Sequence, residues 1–261
     1  MVHGGVETGL VVCHRNLRNR SLPDSLGVTR YDKNGYPTIS SFPMTNEHHD
    51  TPRSFRQPEI VAIRRRMLTE PHIAPLTAYV ESLRVKHPDW EFQDFDPLDG
   101  GVDADMLFLL EKPGPMTSAR TKRKGSGFIS RNNDDSTAEA LFTFMKHAGI
   151  ARERVVLWNV IPGWNGTIKI EAGERHSGMQ ELANLLKLLP NLKTVVLVGR
   201  QAGKAANFMQ SMNVKIFLSA HPSPKVRNMN RAMWDQIPEQ WTAASRTRPE
   251  NELSTNIVGS L

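Results

Sequence analysis

Four short strand-like segments set the strongest limit on what this chain can fold into: 106–110, a continuous apolar run, then 155–158, 194–198 and 215–219, the last with Ile216-Phe217-Leu218 between Lys215 and Ser219. A strand with one wet face alternates apolar and polar residues, whereas a strand covered on both faces reads as a continuous apolar run. Helical patterns lie between the runs. Ser136 to His147 opens with the capping-box pattern Ser136-Thr137-Ala138-Glu139 and closes at Gly149. Met179 to Leu189 stops at Pro190, and Gln201 to Met212 follows the third run. Asn228 to Trp241 adds a last helix, broken near Pro238. This alternation predicts an α/β chain whose parallel sheet is covered by helices on both faces.

The flanks read differently. Residues 1–55 scatter Asn, Asp, Gly, Pro and Ser without periodicity, the composition of a loosely held, flexible extension. Gln57 to Arg84 carries two helical patterns interrupted by Pro71 and Pro75, with Arg64, Arg65 and Arg66 on the outward side of the first. Asp94 to Asp105 is a turn-rich lead-in to the first strand. The expected organisation is an extension (1–55), one domain (56–242) and a flexible polar tail (243–261).

Lys and Arg outnumber Asp and Glu by 33 to 27, a formal charge of +6. That surplus suits a polyanionic partner, since each neutralised phosphate releases counterions, and equally suits a plain soluble surface. Cys13 is the sole cysteine. One thiol cannot form an internal disulfide, a four-cysteine iron–sulfur cluster or a cysteine-built zinc site. No apolar run approaches the roughly 20 residues of a membrane span. The start also lacks the basic-then-apolar pattern of a secretory leader, so a cytoplasmic, reducing location is expected.

In a parallel sheet, ligands bind beyond the carboxyl ends of the strands, so the residues after each run are the candidates. After the first come Glu111-Lys112-Pro113-Gly114-Pro115, a stiff turn able to press backbone against a ligand, or simply a strand exit. A basic loop follows, Lys122-Arg123-Lys124-Gly125-Ser126-Gly127-Phe128, in which Phe128 either stacks on a nucleobase or tucks back into the domain. Beyond it, Arg131, Asn133, Asp134 and Asp135 precede a helix, where capping accounts for at least one carboxylate. Asn159 ends the second run. Its amide offers a donor and an acceptor together, matching a pyrimidine edge or satisfying turn backbone. After the fourth run, Pro222 and Pro224 brace His221-Pro222-Ser223-Pro224-Lys225-Val226-Arg227 into a rigid path suited to holding an oxyanion and gripping phosphate.

Taken in order, these segments resemble the uracil-DNA glycosylase superfamily over about residues 57–241, most clearly 106–225. The shared pieces are the Pro-containing first motif, Phe128, the strand-end Asn159 and His221-Pro222-Ser223-Pro224. The resemblance implies a three-layer α/β/α sandwich around a four-stranded parallel sheet. It implies an enzyme that flips uracil out of DNA and hydrolyses its N-glycosidic bond, releasing free uracil and leaving an abasic site. The implied enzyme is a monomer acting on uracil-containing DNA, needing no cofactor and touching no membrane. His221 would stabilise the departing base. Phe128, Asn159, Lys112, Pro113, Gly114 and Arg131 would bind it, and Ser223, Lys225, Arg227, Lys122 and Lys124 would contact DNA.

Two departures stand out. One branch of the family holds an iron–sulfur cluster with four cysteines, which this chain lacks. The first-motif position that is Asp or Asn in other branches is Lys112, and a protonated lysine cannot activate water. The water-holding role then falls to Glu111 or to the Asn133–Asp135 group, and the group is preferred because a strand-end Glu is suited to capping backbone. A glycosylase for another modified base, and a non-catalytic binder of uracil or abasic DNA, remain alternatives. An unrelated α/β hydrolase is disfavoured, because no Gly-x-Ser-x-Gly elbow occurs.

Overall fold

The computed structural model describes residues 50–118, 125–210 and 212–246, together with a short antiparallel backbone pair, Arg30–Tyr31 with Pro37–Thr38. The chain divides into two compact units, Met1–Thr45 and Asn46–Leu261. That strand pair is what is described of the first unit; the remainder of the expected extension up to residue 49 lies outside the described residues, as do 247–261 of the expected tail.

The second unit is built on a four-stranded parallel sheet, as the apolar runs require. Its strands are β1 (Met106–Leu110), β2 (Val155–Asn159), β3 (Thr194–Val198) and β4 (Lys215–Ser219), in spatial order β4-β3-β1-β2. Every residue of β1, β2 and β3 is buried. β4 lies at an edge, which explains why its run begins with a lysine and leaves Leu218 exposed. Register sets Leu110 opposite Asn159 and Val198 opposite Ser219, so the residues following all four strands emerge along one rim.

Helices α1 (Pro58–Arg66), α2 (Ala74–Lys86), α3 (Ser136–His147) and α4 (Ala172–Leu186) precede a set of shorter ones. The expected helix 201–212 is divided into α5 (Arg200–Gly203) and α6 (Ala206–Met209). The expected helix 228–241 becomes α7 (Pro224–Met229), α8 (Arg231–Asp235) and α9 (Ile237–Ser245). α4 starts seven residues before Met179 because Glu171 and Glu174 form a reciprocal capping box there. α3 is capped not by Ser136 but by Asp135, whose Oδ1 accepts from the N–H groups of Thr137 (2.8 Å) and Ala138 (3.0 Å).

Aromatic side chains fill the space between layers. Phe95 stacks on Trp158 with centroids 4.1 Å apart, and Phe108 meets Trp241 edge-on at 5.0 Å. The Trp241 indole N–H donates to Ser219 Oγ at 2.8 Å, locking α9 to the end of β4 two residues before His221. Ala244 is buried and the Ser245 carbonyl accepts from Arg154, so the domain extends past the expected boundary at residue 242.

At the other end the boundary also moves. Asp50 to Phe55, expected in the extension, pack into the domain. The Phe55 N–H donates to the Asn132 carbonyl, and its ring lies 5.5 Å from that of Phe128. Asp50 joins a buried network with Asp96, Asp99, Arg64, Arg131 and Arg152, three carboxyl groups against three guanidiniums, in which burial pushes Asp99 up to about 7. Arg152 reaches Asp96 at 2.5 Å, pairs with Asp50, lies 2.9 Å from Asp99 and donates to Asn132 Oδ1 at 2.8 Å. Arg64, placed outward by helical spacing, is instead 1% exposed and 3.3 Å from Asp96. Burying a guanidinium is tolerable only with such partners. The network holds the 130–135 loop, since Asp96 also accepts from Ser130 Oγ.

Candidate active site

Beyond the carboxyl ends of the strands lies a cavity of about 240 Å³. The turn Lys112-Pro113-Gly114-Pro115-Met116-Thr117 forms one wall. Ile129, Ser130, Asn133, Asp135 and Leu141 also line it, and Asn159 and His221 come from the ends of β2 and β4. The structure therefore brings together seven of the residues singled out in the sequence: Lys112, Pro113, Gly114, Asn133, Asp135, Asn159 and His221.

His221 is presented rigidly. Its carbonyl accepts from the Ser223 N–H at 2.8 Å, Pro222 is buried, and Ser223 Oγ caps α7 by accepting from Val226 N–H. Gly199 makes room for it. Its φ is +95°, and a Cβ there would meet Glu111 Oε1 at 2.7 Å and His221 Cβ at 3.2 Å. Burial lowers the His221 pKa below the ordinary imidazole value, a trend only opposed by the charges of Glu111 and Asp135. The ring is thus neutral near pH 7, with one N–H to donate.

Asn159 is 4% exposed, and its Nδ2 has no hydrogen-bond partner among the described residues. An unpaired buried donor in a cavity wall is a group awaiting an acceptor. Asn133 differs: its Oδ1 accepts from Ser126 Oγ (2.5 Å) and its Nδ2 donates to the Phe128 carbonyl (2.9 Å). It shapes the wall and has little left to offer.

Asp135 spends one oxygen on capping α3 and leaves Oδ2 without a hydrogen bond among the described residues. Burial raises its pKa above the usual carboxylate value, with the two cap hydrogen bonds acting in the other direction. Asp134, the neighbouring candidate, sits outside the cavity lining and pairs with Arg53 (3.3 Å) and Arg56 (2.8 Å). Glu111 also lies outside the lining; its Oε1 accepts from the Gln201 N–H at 2.8 Å and so caps α5. The Lys112 ammonium reaches the two Glu174 oxygens at 3.0 and 3.1 Å and the Lys169 carbonyl at 2.9 Å.

Two expected base-binding residues are placed elsewhere. Phe128 is fully buried against Phe55 and Ile60, with the Arg65 guanidinium 5.5 Å from its ring centroid, and does not line the cavity. Arg131 is 6% exposed, 3.5 Å from Asp50 and over the Phe142 ring. Lys122 and Lys124 lie outside the described residues. Lys225 and Arg227 are exposed on α7, directly after the His221 turn. Met116, Thr117, Ile129 and Leu141 went unnoticed in the sequence although they line the cavity. Adjacency to Pro115 and Phe128 was the signal available for Met116 and Ile129.

A cavity at the carboxyl rim of a parallel sheet, with a neutral imidazole, a carboxylate of raised pKa and an unpaired carboxamide, is the arrangement of an α/β enzyme rather than of a structural module. The family model for the uracil DNA glycosylase superfamily matches residues 98–243, more than half of the chain. The protein belongs to that superfamily, and with it to the DNA glycosylases, hydrolases of DNA repair. Among solved structures, the chain is similar to the solution NMR structure of a proposed uracil DNA glycosylase from Methanosarcina acetivorans. Identity is 16%, coverage is 55% of this chain and 92% of that one, and the TM-score is 0.33. No curated protein matches the chain. Among the described residues, no helix is long and apolar enough to cross a membrane.

Proposed function

We propose that this glycosylase removes uracil from DNA by hydrolysing the N-glycosidic bond, leaving an abasic site and free uracil. The observation that carries the reading is Asn159: a buried carboxamide with an unpaired donor, in the same cavity as a neutral histidine. Uracil presents a carbonyl acceptor beside a ring N–H donor. One carboxamide can answer both, Nδ2 donating to the carbonyl and Oδ1 accepting from the N–H.

The roles follow from the chemistry of bond cleavage. As the glycosidic bond lengthens, negative charge gathers on the departing base. The neutral His221 N–H donates to the uracil carbonyl where that charge collects, and a donor already in place loses nothing to reorganisation. The Asp135 Oδ2 accepts a proton from water as it attacks the sugar. Lys112, paired with Glu174, needs no part in this step, so its presence where other branches have Asp or Asn does not argue for a non-catalytic binder. Met116, Ile129 and Leu141 provide apolar walls for the ring. Ser223, Lys225 and Arg227 contact the backbone of the DNA, Ser223 with the hydroxyl proton its cap does not use.

Incubation with a labelled uracil oligonucleotide, followed by alkaline cleavage of abasic sites, tests this. The wild type yields the cleaved product, and His221→Ala does so far more slowly. Retention of the oligonucleotide without any abasic product would show a binder instead.

A further inference from the structure

A second cavity, of about 370 Å³, shares Thr117 with the first. Arg65, Arg84, Trp90, Gln93 and Asp94 contribute to its lining. Most of its polar groups are spoken for. Arg84 donates to the Phe92 carbonyl and to Asp94, and Arg65 Nη2 donates to the Ser126 carbonyl at 2.9 Å. Gln93 is the exception. It is 2% exposed, its Oε1 is sealed from solvent without a partner, and no hydrogen bond engages its Nε2 among the described residues.

A carboxamide whose buried oxygen lacks a partner is costly unless something fills the cavity and answers it. The first cavity has the same device in Asn159. Here the amide is accompanied by the exposed Arg65 guanidinium, with donors beyond Nη2 uncommitted, and by the half-buried Trp90. Carboxamide, guanidinium and indole together are the groups that read and hold a nucleobase. Thr117 lines both cavities, so the two adjoin at that residue.

We infer that this second cavity receives the nucleobase next to the one being excised, with Gln93 reading its edge. The inference rests on the proposed action on DNA bases. A base lodged there is not paired, so the enzyme works best where the neighbour of the target is unpaired, as in single strands or loops.

The test uses the full-length protein and single-stranded oligonucleotides with one uracil. In separate versions an abasic analogue replaces the nucleotide 5′ or 3′ to it. Binding is measured by fluorescence anisotropy and excision by single turnover. Loss of one neighbouring base, and not the other, is expected to weaken wild-type binding about tenfold. Gln93→Leu should bind the intact oligonucleotide about that much more weakly and be indifferent to the missing base. Indifference of the wild type to both replacements would overturn the inference, as would Gln93→Leu keeping the wild-type dependence. Neighbour-dependent binding without any uracil excision would instead support the inference and overturn the uracil assignment.

Discussion

The ammonium of Lys112 and the carboxylate of Glu174 form a bidentate pair, 3.0 and 3.1 Å, across 62 residues of sequence. Glu174 also accepts from Asn165 Nδ2 and from the Glu171 N–H, so one carboxylate ties the first-motif turn, the 163–165 segment and the start of α4. Lys112 is therefore a clamp on the cavity wall. Replacing it with Met should cost about 2–4 kcal/mol, because Glu174 would stay buried with less compensation. Urea unfolding measures that loss. The shape of the pH–rate profile should not change, and a lost acid limb would contradict this account.

Asp135 should control that limb. In the proposed role its ionised form accepts the proton, so excision should fall as pH drops through a pKa raised by burial above the ordinary aspartate value. Asn is also a good N-cap, so Asp135→Asn keeps α3 intact while removing the limb and slowing excision about 10²–10⁴-fold. Single-turnover rates between pH 4 and 8 (a span of about four units around the carboxylate and imidazole values) make the comparison.

For His221 the sign runs the other way. A histidine whose folded pKa is depressed binds protons more readily when the chain is unfolded. Stability is therefore lost as pH falls from the unfolded value of about 6.5 through the lower folded value, and His221→Ala should flatten that part of the curve. Its excision rate should drop about 10²–10³-fold, the usual loss for one leaving-group donor. An imidazole titrating at or above 6.5 by NMR would refute the burial argument.

Gly199→Ala places a methyl group 2.7 Å from Glu111 Oε1 at a residue with φ +95°. Strain of this kind costs about 1–3 kcal/mol, and relieving it moves Glu111 or His221. Both the melting temperature and the excision rate should fall, the rate more than destabilisation alone explains.

Arg152→Met removes the centre of the buried ionic network and leaves Asp96, itself fully enclosed, short of a partner. A loss of about 3–5 kcal/mol is expected by chemical denaturation, enough to unfold a marginal domain.

What the sequence by itself determined was the frame. Continuous apolar segments such as 106–110 favour a sheet covered on both faces, and parallel strands then deliver Asn159, His221 and the Pro113-Gly114 turn to a common rim. Those are local consequences of burial period and proline geometry. Tertiary structure decided which polar groups remain available at that rim. Phe128 was free to stack on a base until Phe55 and Ile60 packed onto it, and Arg131 until Asp50 and Asp96 enclosed it in a charge network. Among three adjacent candidates, Asp135 retains a free carboxylate oxygen in the cavity because Arg53 and Arg56 claim Asp134 and Ser126 claims Asn133. Spacing along the chain carries no record of such partners, since each comes from a segment brought near only when the domain closes.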